Sequence, residues 1–190
     1  MQLLAAALRT EGKEVVATAE PGGSALGVEL RGILKDVLDT DISPMAELFL
    51  FLSDRVQHVK EIILPALEEG QVVICDRFTD STLAYQGFGR GLDLDLLKEL
   101  NRVATSGLEP DLTIVLDCDA GVGFKRHDMR ENGSESCRFH QESLDFHNRV
   151  REGYKSIADG EPDRFRLIDA SGSIEEVQRA IKSACEEAGI

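Results

Sequence analysis

This sequence predicts an α/β fold, a parallel sheet with helices packed against it, and three observations carry the expectation. Short apolar, β-branched runs recur at 15–17, 72–75, 112–116 and 165–168. Stretches with helical apolar spacing fill the intervals, the alternation that βαβ units produce. The first run ends in a tight loop that opens straight into a helix, the junction such units are made of. With 190 residues, 42% of them hydrophobic, the chain is long enough for one well-buried domain, 1–190, and no composition break divides it.

A helix over residues 2–9 opens the chain. In "VVATAEPGGSALG", Val15 and Val16 read as a buried strand, and Pro21, Gly22 and Gly23 break it. Ser24 is a good N-cap for a helix carrying Leu26, Leu30, Ile33, Leu34 and Val37. A loop so placed lies outside the carboxyl ends of the strands, where open α/β sheets bind ligands. In "SPMAELFLFLSDRVQHVKEIILPAL", Ser43 caps a helix, Pro44 fits its first turn, and Met45, Leu48, Leu52, Val56, Val59 and Ile63 form the core stripe. Phe51 and Arg55, four apart, share a flank of that stripe, with Glu47 one turn before. A ring beside a guanidinium suits stacking a base and holding its edge or phosphate. The alternative is the edge of a wide core or an oligomer contact.

The next strand ends in Asp76-Arg77. Charges at the carboxyl end of a buried strand are costly without partners, so the pair reads as a phosphate and metal site in preference to a structural ion pair. Ser81, Thr82, Tyr85 and Gln86 then supply hydroxyl and amide groups in one segment. Gly87, Gly89 and Gly91 follow a helical pattern and not a strand, which excludes a dinucleotide fingerprint. Around 125–151 the basic residues Lys125, Arg126, Arg130, Arg138, Arg149 and Arg151 gather about a polar loop, "RENGSES". They suit either a phosphate-closing lid at about 125–140 or a solvated helical face balanced by Glu131, Glu135, Glu142 and Asp145. His140 and His147 have no third partner at metal-ligand spacing.

A net charge of −14 disfavours nucleic acid and anionic membranes as partners and leaves room for a small charged substrate. Four widely spaced cysteines, with no CxxC pair, read as reduced thiols. No apolar run approaches a membrane span and the first residues carry no leader signature, so a cytoplasmic protein is expected.

Taken in order, "EPGG", "FLFLSDR", "CDRFTDSTLAYQG", "PDLTIVLD", "RFHQESLDFHNRVREGY" and "IDAS" resemble the bacterial thymidylate kinases, from near the first residue to the end. The resemblance implies a P-loop NTPase-like three-layer fold, a homodimer built on helix faces, and transfer of the ATP γ-phosphate, with Mg²⁺, to dTMP to give dTDP for dTTP synthesis. It implies that Phe51 stacks on thymine, that Arg55 and Thr82 with Gln86 hold its edge or the neighbouring phosphate, and that Tyr85 packs on the sugar. Arg77 would bridge the phosphoryl groups beside a metal-binding Asp76. Arg130 and Arg138 would belong to the lid, Asp169, Ala170 and Ser171 would lie beside adenine, and Glu20 would turn toward the acceptor.

Three departures stand out. The family usually has Arg before that Glu, where this chain has Ala19; Cys137 and His140 replace the acidic residues flanking "RF". The glycine-rich GxxxxGK(S/T) loop, whose amides and Lys hold ATP phosphates, occurs nowhere in these residues. The family's opening helix follows that loop directly, and Met1 stands where the loop would have ended. The expectation is therefore a start further upstream, a first central strand missing from the sheet with two strand edges left open, and 190 residues that bind the acceptor but transfer phosphate negligibly. Two other classes stay open: a kinase for another nucleoside or nucleoside monophosphate, and a nucleotide-binding protein without catalysis.

Overall fold

The computed structural model describes residues 1–35, 41–119, 121–122 and 138–190. Four strands, β1 (Val15–Ala19), β2 (Val72–Asp76), β3 (Thr113–Asp117) and β4 (Phe165–Asp169), fall at the predicted runs with ends shifted by one or two residues. They are parallel but form two pairs. β1 lies on β2 with Val15 opposite Val72 and Ala19 opposite Asp76, and β3 lies on β4 with Thr113 opposite Phe165 and Asp117 opposite Asp169. Among the described residues no strand joins the pairs.

Helices cover both faces. On one, α1 (Gln2–Thr10) and α8 (Ile174–Glu187) bury Leu4, Leu8, Ile181 and Cys185 against Ile168, with Val72, Ile74 and Ile114 packed alongside. A single apolar cluster thus spans both strand pairs. On the other face lie α3 (Pro44–His58), α6 (Leu94–Thr105) and α7 (Leu144–Gly160). Among the described residues no helix is long and apolar enough to cross a membrane.

Two expected stripes need correction. In α2 (Ala25–Lys35) Ser24 caps as predicted, its Oγ accepting from Gly27 N at 3.0 Å. Leu30 and Leu34 are buried there, but Leu26 and Ile33 are exposed, and Val37 lies outside the described residues. In α3 Ser43 and Pro44 play their predicted parts, and Leu48 and Leu52 are buried, as are Val59 and Ile63 just beyond it. Met45 and Val56 are exposed instead. The reason is that α3 is buried on a second, polar side: Glu47, Asp54, Arg55 and His58 are all sealed. Those residues face the 20–23 loop and the segment that follows β2.

Past His58 the helix widens into a π turn, Val59–Ile63, before α4 (Leu64–Glu68). Pro65 has no N–H to give, and a wider turn is one way the ladder adapts. A second π segment, Leu83–Gly89, continues α5 (Thr79–Thr82). Such segments are frequent at functional sites.

Candidate active site

The carboxyl ends of β1 and β2 sit side by side, and Glu20 N donates to the Asp76 carbonyl at 3.0 Å. Glu20 precedes Pro21 through a cis peptide. Its buried carboxylate is gripped twice: Oε2 accepts from Arg55 Nε at 2.8 Å, and Oε1 lies 2.9 Å from His58 Nδ1. A carboxylate accepts, so Nδ1 carries the hydrogen there. Across the ring, His58 Nε2 meets Thr18 Oγ1 at 2.7 Å. Gly23 is required by this arrangement, because a Cβ on it would collide with the His58 ring and Thr18.

Arg55 is the hub of the cluster. Besides Glu20, its Nη1 reaches Thr82 Oγ1 at 2.8 Å and Asn101 Oδ1 at 2.6 Å, and its Nη2 reaches the Phe78 carbonyl at 3.1 Å. Four of its five N–H groups are therefore engaged within the protein. Among the described residues the second Nη2 N–H has no acceptor.

One turn pair earlier on the same face of α3, Glu47 ties to the same partner segment, with Gln86 Nε2 donating to its Oε1 at 2.8 Å. Phe51 stands midway between Glu47 and Arg55 in sequence. The two cross-links, Glu47–Gln86 and Arg55–Thr82, thus bracket Phe51 along α3 and mark out a candidate slot with a ring wall and polar ends. Phe139 closes toward it, 6.1 Å from Phe51 and 5.9 Å from Tyr85 between ring centroids.

Arg77 borders the slot. Its backbone is left-handed, φ 70°, which is uncommon and strained for a side chain of this size. The guanidinium lies over the Tyr85 ring at 4.7 Å, donates to the Tyr85 hydroxyl at 3.0 Å, and is pushed further toward its charged form by that neighbour. Behind it Ser81 Oγ and the Tyr154 hydroxyl are 2.7 Å apart, and burial pushes the Tyr154 phenol up to about 12. The arrangement can stack a flat ring, read its edge with an amide and a guanidinium, and meet an anion with Arg77.

A profile described as thymidylate kinase matches residues 1–181 of the chain. The chain belongs to the thymidylate kinase family. The protein named thymidylate kinase in Desulfovibrio desulfuricans is 55% identical over 183 residues, 94% of this chain and 84% of that protein. The one from Solidesulfovibrio magneticus is 50% identical over 185 residues, 95% and 88% of the two chains. Among solved structures, a crystal structure of thymidylate kinase from Ehrlichia chaffeensis superposes with a TM-score of 0.77 at 32% identity, covering 97% of this chain and 88% of that one.

Within this thymidylate kinase framework the structure gathers Glu20, Phe51, Arg55, Thr82, Tyr85, Gln86 and Arg77 into one cluster. Arg138 adjoins it, but its Nη2 donates to Glu47 Oε2 at 2.6 Å and its Nε to the Leu34 carbonyl at 3.3 Å, so it is turned onto α3 and α2. Arg130 lies outside the described residues, as do Lys125, Arg126 and Cys137. Asp169, Ala170 and Ser171 stand at the end of β4, in the other strand pair, where Asp169 Oδ1 accepts from Ser171 N at 2.8 Å. The Asp169 carboxyl is held below the ordinary range by that turn. Next to it, Asp117 is lowered by a two-pronged bond with Arg151, at 2.6 and 2.9 Å. His147 bonds the Phe139 carbonyl through Nε2 at 3.0 Å, and burial lowers its pKa.

Sequence reasoning missed Asn101, His58, Phe139 and Arg90 as members. Asn101 had a readable signal, a polar residue four after the buried Leu97 and three before the buried Ala104 on the inner face of α6. The others are recognisable only through partners distant in sequence.

Proposed function

We propose that this chain carries the acceptor half of a dTMP kinase, in which ATP gives its γ-phosphate to dTMP to form dTDP. The observation that carries this is the slot bracketed by Glu47–Gln86 and Arg55–Thr82 with Phe51 between, bordered by Arg77. Phe51 stacks the base, Gln86 and the remaining Arg55 N–H meet its edge, Thr82 offers its hydroxyl hydrogen, and Tyr85 packs on the sugar. The nucleophile is already an anionic phosphate oxygen, so no general base is needed. Arg77 supplies alignment and charge, pre-placed by its strained backbone and its seat on Tyr85. Arg138, released from Glu47, and Arg130 serve the transferring group, and 169–171 serve adenine.

Among the described residues no three His, Cys, Asp or Glu side chains gather to hold a metal. Mg²⁺ in such sites keeps waters and phosphate oxygens beside one or two carboxylates, and the exposed Asp76 at the end of β2 fits as a single ligand. Bound with ATP, the ion neutralises charge on the phosphates. The free thiols Cys75, Cys118 and Cys185 support a cytoplasmic setting. The exposed Met45, Phe49 and Val56 on α3 support a homodimer across that helix.

A thermal-shift panel tests the acceptor reading: dTMP raises the midpoint more than dGMP or AMP does, because only a matching pyrimidine gains both stacking and edge contacts. Equal shifts for all three would remove it. Because no GxxxxGK(S/T) segment occurs in these residues, we infer that they transfer phosphate negligibly on their own. ATP-dependent appearance of dTDP from the 190-residue chain would refute that.

A further inference from the structure

The chain that leaves β2 is held carbonyl by carbonyl. Glu20 N donates to the Asp76 carbonyl at 3.0 Å, Cys75 Sγ to the Arg77 carbonyl at 3.0 Å, and Arg55 Nη2 to the Phe78 carbonyl at 3.1 Å. The outer two donors come from the end of β1 and from α3, elements packed against this turn. The middle one is a side chain two residues back on β2 itself. A carbonyl only accepts, so the sulfur carries the hydrogen in this contact, and Cys75 is a free thiol.

The residue under the middle clamp is the strained one. Among the described residues two that are not glycine have positive φ, Arg77 at 70° and Ser106 at 55°. Ser106 is the C-cap of α6, where a left-handed residue is routine. Arg77 ends a strand and has no such excuse, so its conformation must be enforced by contacts. In the left-handed region the β-carbon crowds the carbonyl oxygen that follows it. That oxygen is the one the thiol holds, and its direction is set by the Arg77 ψ angle. The side chain has a separate anchor, its seat over the Tyr85 ring and its bond to the Tyr85 hydroxyl.

We propose that Cys75 is a positioning residue for Arg77: its thiol-to-carbonyl bond holds the left-handed backbone that aims the guanidinium at the acceptor phosphate. Serine, a hydroxyl donor of nearly the same reach, serves the same purpose. A residue with no donor releases the peptide, and Arg77 relaxes toward ordinary backbone and off Tyr85. The loss then falls on recognition of charge, while the nucleoside part of a ligand is held as before. This rests on the reading of Arg77 above, and the two can fail separately.

The test is calorimetric titration of the 190-residue chain with dTMP and thymidine, which differ by the phosphate alone. The ratio of their Kd values isolates what the phosphate gains. The unmodified chain binds dTMP at least about tenfold more tightly than thymidine, as a charge-assisted contact provides. Cys75→Ala lowers that ratio by at least about threefold and leaves thymidine binding unchanged. Cys75→Ser keeps the ratio. An unchanged ratio in Cys75→Ala overturns the proposal, and so does equal weakening of both ligands, which marks a purely structural role. Should Cys75→Ala not fold, the unmodified protein decides by infrared spectroscopy. The S–H stretch of Cys75, assigned by its loss in Cys75→Ser, lies below that of a free thiol, and a band at the free-thiol frequency overturns the clamp. Failure of dTMP to bind overturns the functional reading itself. A tight dTMP complex whose phosphate gain survives Cys75→Ala overturns the clamp alone.

Discussion

Asp54 is poorly satisfied. Its Oδ1 accepts from Gly22 N at 3.2 Å, while Oδ2 is buried without a partner among the described residues. Burial pushes its pKa up, opposed by the Gly22 hydrogen bond and by Arg55 and His58 nearby. A carboxyl raised in the folded state binds its proton more tightly there than in the unfolded chain. Stability is therefore lost as pH rises from the ordinary carboxyl value of 3.8 through the raised one, and the loss persists above it. Asp54→Asn removes that titration while keeping the size. In thermal melts from pH 4 to pH 7, the midpoint of the variant minus that of the unmodified chain is expected to grow with pH. A difference that stays flat would mean that Asp54 titrates normally. The same turn of α3 aims Arg55, one of whose four internal hydrogen bonds goes to Glu20 at the start of the loop that carries Gly22 and Gly23.

At the scale of elements, the fit between the π segment and α7 decides whether the slot keeps its shape. Gly89 ends that segment, and a Cβ there would sit 2.7 Å from Phe146 Cε2 and 3.0 Å from Val150 Cγ2, both in the buried cluster with Ala84. Gly89→Ala is expected to cost about 1–3 kcal/mol in urea denaturation, as overpacking does. An unchanged midpoint would show that α7 moves away freely. Gly87 is packed in the same way against Leu94 and Leu97 of α6, so the glycines at 87 and 89 serve helix packing and mimic a dinucleotide fingerprint without being one. Strand positions and the caps of α2 and α3 were legible because β-branched runs, Ser24, Ser43 and Pro44 are local signals. Phe51, Arg55, Thr82 and Gln86 were legible through order and spacing. What helical periodicity could not show is that α3 is buried on two sides: it marks apolar side chains, and the second side is sealed with Glu47, Asp54, Arg55 and His58. Their hydrogen-bond partners come from residues 18, 20, 22, 78, 82, 86, 90, 101 and 138, pairings that no local pattern encodes.

Across the whole molecule, 35 acidic residues face 21 basic ones, yet cations are drawn inward around the slot and between the strand pairs. With no strand joining β2 to β3 among the described residues, the two pairs are linked through the helices packed on both faces, the cluster under α1 and α8 among them, and through a buried polar tie. Asp80, from α5 behind β2, takes both prongs of Arg164, each at 2.9 Å, while the Thr113 hydroxyl at the start of β3 donates to the same carboxylate at 2.9 Å. Arg164 precedes β4, so this group joins one pair to the other. Its side chains are largely enclosed, 7% exposed at Asp80 and 17% at Arg164. Removing one partner leaves a buried charge, and Arg164→Met is expected to lower stability by about 3–5 kcal/mol. Removing both charges restores much of it, since paired burial costs more desolvation than apolar packing does. Arg164→Met combined with Asp80→Leu should therefore lose less than the sum of the single losses, by at least about 1 kcal/mol. Urea denaturation of the four proteins in the cycle measures this. Additive losses would mean that the tie carries no coupling.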